Sequence, residues 1–357
     1  MTNTTQVRQW QSWELGPFVK ADAANPCLEP DAERRFACPV RGEVVQWEEK
    51  DVFNPAAVVR DGRVCLLYRA EDIVGRYAGT SRIGLAESED GLRFAKRPEP
   101  VLYPNHDAFE GIEWEGGCED PRIVEDENGV YYLIYTSYDG AKARLCIASS
   151  PDLVDWTKHG RAFGEFADIW SKAAAVVTRR EGERFIAAKI NGKYWMYWGE
   201  SNIYAATSDD LIRWSPVVSQ DFRGYDAEAS LVPIMLTRRN CFDSTLVEPG
   251  PQAVLTEHGI RLIYNGRNDE RQGDPAYAPG AYCSGQALFD VRDPMALIGR
   301  STTPFLVPDK DYEISGQVNH VCFVEGLVYY RNQWLLYYGT ADSKIAVAVC
   351  NEGSPRM

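Results

Sequence analysis

Histidine is nearly missing from this chain: there are 4 in 357 residues. None is spaced as a metal ligand, so a transition-metal centre is not expected. No phosphate-binding loop or dinucleotide fingerprint is present, and the reading assigns no cofactor. Positive charge is short as well, with 38 Lys and Arg against 52 Asp and Glu and a net charge of −14. A nucleic-acid partner needs a basic footprint, and so does an anionic membrane surface; both are excluded as partners. No run of about 18 apolar residues exists to span a bilayer. The first ten residues lack the apolar core of a secretory signal. The 9 cysteines are odd in number and never spaced Cys-x-x-Cys. Several (Cys65, Cys146, Cys322) sit in strand-like runs. They read as reduced, buried thiols, and the expected location is cytoplasmic.

Strand signals are abundant. Apolar, aromatic-rich runs fold back on turn dipeptides: Asp61-Gly62 within 56–69, Asn128-Gly129 within 123–135, Gly182 and Asn191-Gly192 within 173–198, and His258-Gly259 within 253–264. A further run spans 321–338. One short string also occurs three times, as Ala86-Glu-Ser-Glu-Asp-Gly-Leu-Arg-Phe94, Ala148-Ser-Ser-Pro-Asp-Leu-Val-Asp-Trp156 and Ala206-Thr-Ser-Asp-Asp-Leu-Ile-Arg-Trp214. A repeat at roughly 60 residues marks a repeat architecture. Its acids, Asp152 and Asp210 among them, read as turn caps.

Five units follow, starting near Asn54, Asp120, Lys172, Glu248 and Asn319, each with three or four strands. No segment carries a long helical period. The expected fold is all-β, a five-bladed β-propeller forming one domain over 1–357, with residues up to about 50 packing outside it. First strands of blades line a common channel, so unit-start residues converge although they lie far apart in sequence. Charged residues opening apolar strands are costly to bury without partners, which marks them as a candidate pocket. The sharpest local string there is Gly116-Gly-Cys-Glu-Asp-Pro-Arg122, which suits either a turn ion pair or a carboxyl acting on a sugar.

Asn54-Pro55 with Tyr68-Arg69, the run Arg82 to Gly91, Glu119-Asp-Pro-Arg122, the repeats, and Tyr338-Gly-Thr-Ala-Asp342 together resemble glycoside hydrolase family 130. The resemblance covers about residue 50 onward. It implies a five-bladed propeller acting on β-mannosides, either with inorganic phosphate or with water. It also implies that Asp120 is the acid, delivering its proton through the mannose 3-hydroxyl. Asp342 would hold the −1 sugar, with Asn54, Arg69 and Arg82 nearby. Glu119 is expected to orient Arg122 or a neighbouring strand end.

Departures from the phosphorylase pattern bear on the subtype. That branch carries a His-Arg-Pro string where this chain has Tyr197-Trp-Gly-Glu200, and a Tyr-His-Gly string where it has Tyr264-Asn-Gly266. The string before the latter reads Val247-Glu-Pro-Gly-Pro251. Two carboxylates, Glu200 and Glu248, thus stand where an anion would need basic groups, and they suit a water nucleophile. The expected activity is an inverting β-1,2-mannosidase with Asp120 as acid and Glu200/Glu248 activating water. Lys172, Arg122, Asn265 and His320 complete the substrate-binding set, and Trp198 and Tyr197 serve either as sugar platforms or as core. The rivals are a mannoside phosphorylase and a non-catalytic glycan-binding propeller. A small-molecule oligosaccharide is the expected partner, and a homo-oligomer stays open.

Overall fold

Residues 8, 10–77, 79–219 and 228–351 are described in the computed structural model. Among them helix is confined to two single turns, Glu110–Glu113 and Asp311–Ile314, and a 3-10 turn at Glu228–Ser230; the rest of the regular structure is β. Among the described residues no helix is long and apolar enough to cross a membrane.

The strands form five successive antiparallel units. The first runs Asp51–Arg60, Arg63–Glu71, Ser81–Ser88 and Ala95–Lys96. The second runs Gly117–Glu125, Tyr131–Tyr138, Ala143–Ser150 and Thr157–Arg161. The third begins at Ala174–Glu181 and continues through Lys193–Trp198, Ile203–Ser208 and Trp214–Pro216. The fourth opens on Leu246–Pro249 and Ala253–Thr256, then Gly259–Arg267, Tyr282–Phe289 and Leu297–Arg300. The fifth comprises Cys322–Tyr330, Gln333–Thr340 and Lys344–Asn351, and takes its edge strand, Val19–Lys20, from the other end of the chain. Each unit therefore starts within three residues of the position expected from sequence. One turn lies a residue earlier than expected: Thr256 pairs with Gly259, which leaves Glu257 and His258 at the tip.

Opening strands are apolar almost throughout because both of their faces are covered. Every residue of Gly117–Glu125 and of Cys322–Tyr330 is buried. They approach one another closely: a Cβ on Gly326 would stand 2.7 Å from the carbonyl oxygen of Pro55. Five apolar clusters are found among the described residues, each shared by two consecutive units. One of them joins the last unit to the first, through Leu335, Tyr337 and Val347 against Val52, Leu66 and Tyr68.

Two polar devices recur from unit to unit. In the threefold string, the Ser hydroxyl accepts the amide three residues on: Gly91 at 2.8 Å, Leu153 at 2.9 Å and Leu211 at 3.0 Å. The Asp at 90, 152 or 210 then accepts the next two amides. These are the turn caps expected from the sequence. The second device is a tyrosine on the second strand whose hydroxyl donates to a buried carboxylate held by a cation. It appears as Tyr68–Glu48–Lys96, Tyr135–Glu113–Lys158, Tyr264–Asp243–Arg300 and Tyr338–Glu313–Lys20. Among the described residues the third unit shows no such triad; Tyr197 donates instead to the carbonyl of Pro294.

Candidate active site

The centre of the site is Asp120, 5% exposed. The ladder of its strand is interrupted between Glu119 and Arg122, and the interruption places Asp120 at a φ of 46°. Asn54 sits at the corresponding irregularity of the first opening strand, at a φ of 49°. A residue left out of the ladder in this way re-aims its side chain, which is how bulges build sites. Asn54 Nδ2 donates to Asp120 Oδ1 at 2.8 Å, and Arg69 Nη1 donates to the same oxygen at 3.1 Å. Lys172 Nζ lies 3.2 Å from the other oxygen, Oδ2. Burial alone would push this carboxyl upward. Lys172, Arg69 and the Asn54 amide override it and hold Asp120 well below the ordinary carboxylate range.

Around this centre the cations are already engaged. Arg69 also donates to Glu71 at 2.7 Å and to Glu119 at 3.1 Å. Lys172 also faces Glu119. Of the two expected partners of Glu119, the structure pairs it with Arg69 near the end of the neighbouring strand, and with Lys172, and not with Arg122. Burial, the largest influence on it, shifts Glu119 upward.

Two further carboxyls lie in the same electrostatic environment with the opposite bias. Burial pushes Glu248 up to about 8; neighbouring Glu200 adds to the rise, while Lys172 and Arg122 oppose it. Burial likewise pushes Asp342 up to about 7, with Asp120 adding and Arg69 and Lys172 opposing. Glu200 follows a sharp turn at Gly199 (φ 124°), where a Cβ would come 2.3 Å from the carbonyl oxygen of Asn202. The Gly199 amide donates to the Lys172 carbonyl at 3.1 Å, which ties this turn to the segment carrying Lys172. Glu200 Oε2 accepts the indole N–H of Trp170 at 2.7 Å.

The structure thus brings together Asn54, Arg69, Asp120, Lys172, Glu200, Glu248 and Asp342. Three other expected binders are committed elsewhere. Arg82 is fully buried and its guanidinium pairs with Asp72 at 2.7 Å. Asn265 spends its amide on the Val324 backbone, donating at 3.0 Å and accepting at 2.8 Å. Arg122 lies behind the site: it donates to the carbonyls of Pro249, Gly250 and Asp120 and pairs with Glu325 at 2.6 Å. Arg122 and Asn265 tie strands together, and Arg82 ties its strand to the loop that carries Asp72. His320, half-buried at a φ of 58°, precedes the fifth opening strand. Trp198 and Tyr197 are core residues, 1% and 0% exposed, and they pack against Phe163 and Phe289 rather than a ligand face.

Three participants were missed in the sequence. Glu325 is a lone acid inside the apolar run Val321-Cys-Phe-Val-Glu-Gly, a signal that was available. Glu71 closes the strand that carries Arg69. Trp170 stands two residues before Lys172. Among the described residues no cluster of His, Cys, Asp and Glu is arranged to hold a metal ion, and the nine cysteines are all unpaired.

The glycoside hydrolase family 130 model, described as β-1,4-mannooligosaccharide phosphorylase, matches residues 30–353. The chain is 32% identical over 340 residues to a 1,2-β-oligomannan phosphorylase of Thermoanaerobacter sp. (strain X514), covering 93% of this chain and 96% of the relative. It is 42% identical to a glycosyl hydrolase of known structure from Bacteroides ovatus, with a TM-score of 0.92 over 98% of this chain and 97% of that one. Another solved structure is 43% identical, with a TM-score of 0.93 over 98% of each chain. It is described by the finding that the family of mannoside phosphorylases contains glycoside hydrolases that target β-1,2 mannosidic linkages in Candida mannan. On the match across residues 30–353 and the near full-length relatives, the chain belongs to glycoside hydrolase family 130.

Proposed function

We propose that this chain is an exo-acting β-mannosidase that releases mannose from the non-reducing end of β-1,2-linked manno-oligosaccharides by single displacement with inversion. In this reading the five units are the blades of one five-bladed propeller, and the opening strands present the site at its axis. Asp120 passes its proton to the glycosidic oxygen through the 3-hydroxyl of the −1 mannose. Glu200 and Glu248 hold and deprotonate the attacking water. Asn54, Arg69, Lys172 and Asp342 bind the sugar.

The observation that carries the reading is the charge around the nucleophile. Glu200 and Glu248 act on one another, and the cations in reach, Arg69, Lys172 and Arg122, are each held by carboxylates already. Two like charges about 4 Å apart repel by about 4 kcal/mol at an effective dielectric of 20. A phosphate dianion beside the Glu200 carboxylate would meet a cost of that order, and a neutral water would not.

Inversion needs a protonated acid and a charged base, whereas the folded site favours the anion at Asp120 and the neutral form at Glu248. A mannose hydroxyl seated against Asp120 loosens its contact with Lys172 and excludes water. Both changes raise the carboxyl toward the proton it must carry.

The second reading, a mannoside phosphorylase, is favoured by the names of the relatives at 32% identity. One experiment separates the two: β-1,2-mannobiose incubated with and without inorganic phosphate, the products followed by NMR. The expected result is α-mannose in both cases. Mannose 1-phosphate formed in preference to mannose overturns the mannosidase reading, and absence of any turnover alongside sugar binding points to a glycan-binding protein.

A further inference from the structure

Trp170 is 45% exposed, an unusual state for a tryptophan. Its loop is firmly held. Ile169, before it, is 6% exposed and belongs to the apolar cluster between the second and third units. Ser171, after it, is 3% exposed; its hydroxyl accepts the Leu145 amide at 2.9 Å and its own amide donates to Ala143 at 3.1 Å. An exposed ring between two anchored residues is fixed in place rather than left over on the surface. The following residue in the loop, Lys172, contacts Asp120. One short segment therefore touches both the proposed acid and Glu200.

Resting on the mannosidase reading, we infer that Trp170 is a positioning residue that singles out Glu200, rather than Glu248, as the general base. The geometry distinguishes the two acids. Indole N–H is a donor only, so the Glu200 oxygen it meets at 2.7 Å must act as an acceptor. A carboxylate can accept this bond and keep its second oxygen for water. Glu248 is 5% exposed on the fourth opening strand, beside the cross-strand partner Asn265 whose amide is spent on Val324. Its burial favours the neutral form, which can donate a hydrogen bond to the same water. In the reaction, water loses a proton to Glu200 while its oxygen bonds to C1, and the C1–O bond to the leaving sugar breaks as that oxygen gains the proton from Asp120. Glu248 keeps its proton throughout. Glu200 acts on both Glu248 and Tyr282 of the fourth unit.

The test is steady-state kinetics on β-1,2-mannobiose across pH, without phosphate, for wild type, Trp170→Phe and Trp170→Ala, with thermal unfolding of each checked in parallel. Trp170→Phe keeps the ring and loses the N–H. It is expected to lower kcat by about 10- to 100-fold with KM nearly unchanged, the range for losing a group that orients a catalytic one. A second measurement removes each base in turn. Glu200→Ala is expected to regain turnover with azide, giving α-mannosyl azide, and Glu248→Ala is not. Wild-type kcat in Trp170→Phe overturns the inference, as does azide rescue of Glu248→Ala alone. The wild-type arm keeps the two claims apart. If wild type releases no mannose without phosphate, the mannosidase reading itself has failed and the base assignment falls with it. If wild type hydrolyses, the variants decide the role of Trp170 alone.

Discussion

At the scale of single residues, the site separates carboxyls by environment. Asp120 and Glu248 are equally buried, yet one is held charged by Lys172 and Arg69 and the other is driven neutral. The consequence for stability can be signed. A carboxyl whose folded value is raised from 4.5 to about 8 binds a proton that the unfolded chain releases. Its contribution is fully present below pH 4.5 and is lost as pH rises toward 8. Glu248→Gln removes the titration while keeping the shape. The variant is expected to melt higher than wild type at pH 8 to 9 and to differ little at pH 5. A melting difference independent of pH, measured by calorimetry at both values, would contradict the assignment.

At the scale of elements, the opening strands are joined by charged side chains that the sequence made look like substrate binders. Arg122 reaches from the second unit to carbonyls of the fourth and to Glu325 of the fifth. Burial drives Glu325 well above the ordinary carboxylate range, and Arg122 is the main influence opposing it. Breaking a buried pair from one side costs about 3–5 kcal/mol, whereas replacing both partners with apolar groups is often neutral. Arg122→Met alone is therefore expected to be strongly destabilised in urea unfolding, and the double variant Arg122→Met/Glu325→Met to regain most of the loss. Failure of the double variant to recover would assign Arg122 a role other than this tie. The same strands show why part of the site was readable in sequence. Asp120, Asn54 and Lys172 open apolar runs, a local anomaly that needs no knowledge of the fold. Arg82 rests on the resemblance alone, and only the tertiary structure shows that its charge is met by Asp72 on a neighbouring loop. The tyrosine–acid–cation devices escaped notice for a related reason. The acid lies 20 to 25 residues before its tyrosine, and the cation arrives from a different distance each time. The Ser–Asp caps fit inside nine residues and could be read directly.

At the scale of the whole molecule, the first fifty residues do more than pack outside a finished core. Leu28, Phe36, Val45 and Trp47 enter the cluster that joins the first and fifth units, and Val19–Lys20 supplies the fifth unit's edge strand. Lys20 has a second task, since its ammonium group pairs at 2.6 Å with the buried Glu313 that accepts from Tyr338. In the first two units the corresponding cation, Lys96 or Lys158, comes from within the unit itself. The fifth unit therefore depends on the other end of the chain for both its edge and its charge balance. That unit also carries Asp342, so the dependence reaches the site. Removal of residues 1–20 is expected to lower the melting temperature and to raise amide hydrogen exchange first in Lys344–Asn351, ahead of the other units. Lys20→Met, which leaves Glu313 buried without its cation, is expected to reproduce much of the loss of stability with the edge strand intact. Exchange spread evenly over all five units in the truncated chain would show that the N-terminal segment stabilises the protein as a whole and is no specific partner of the fifth unit.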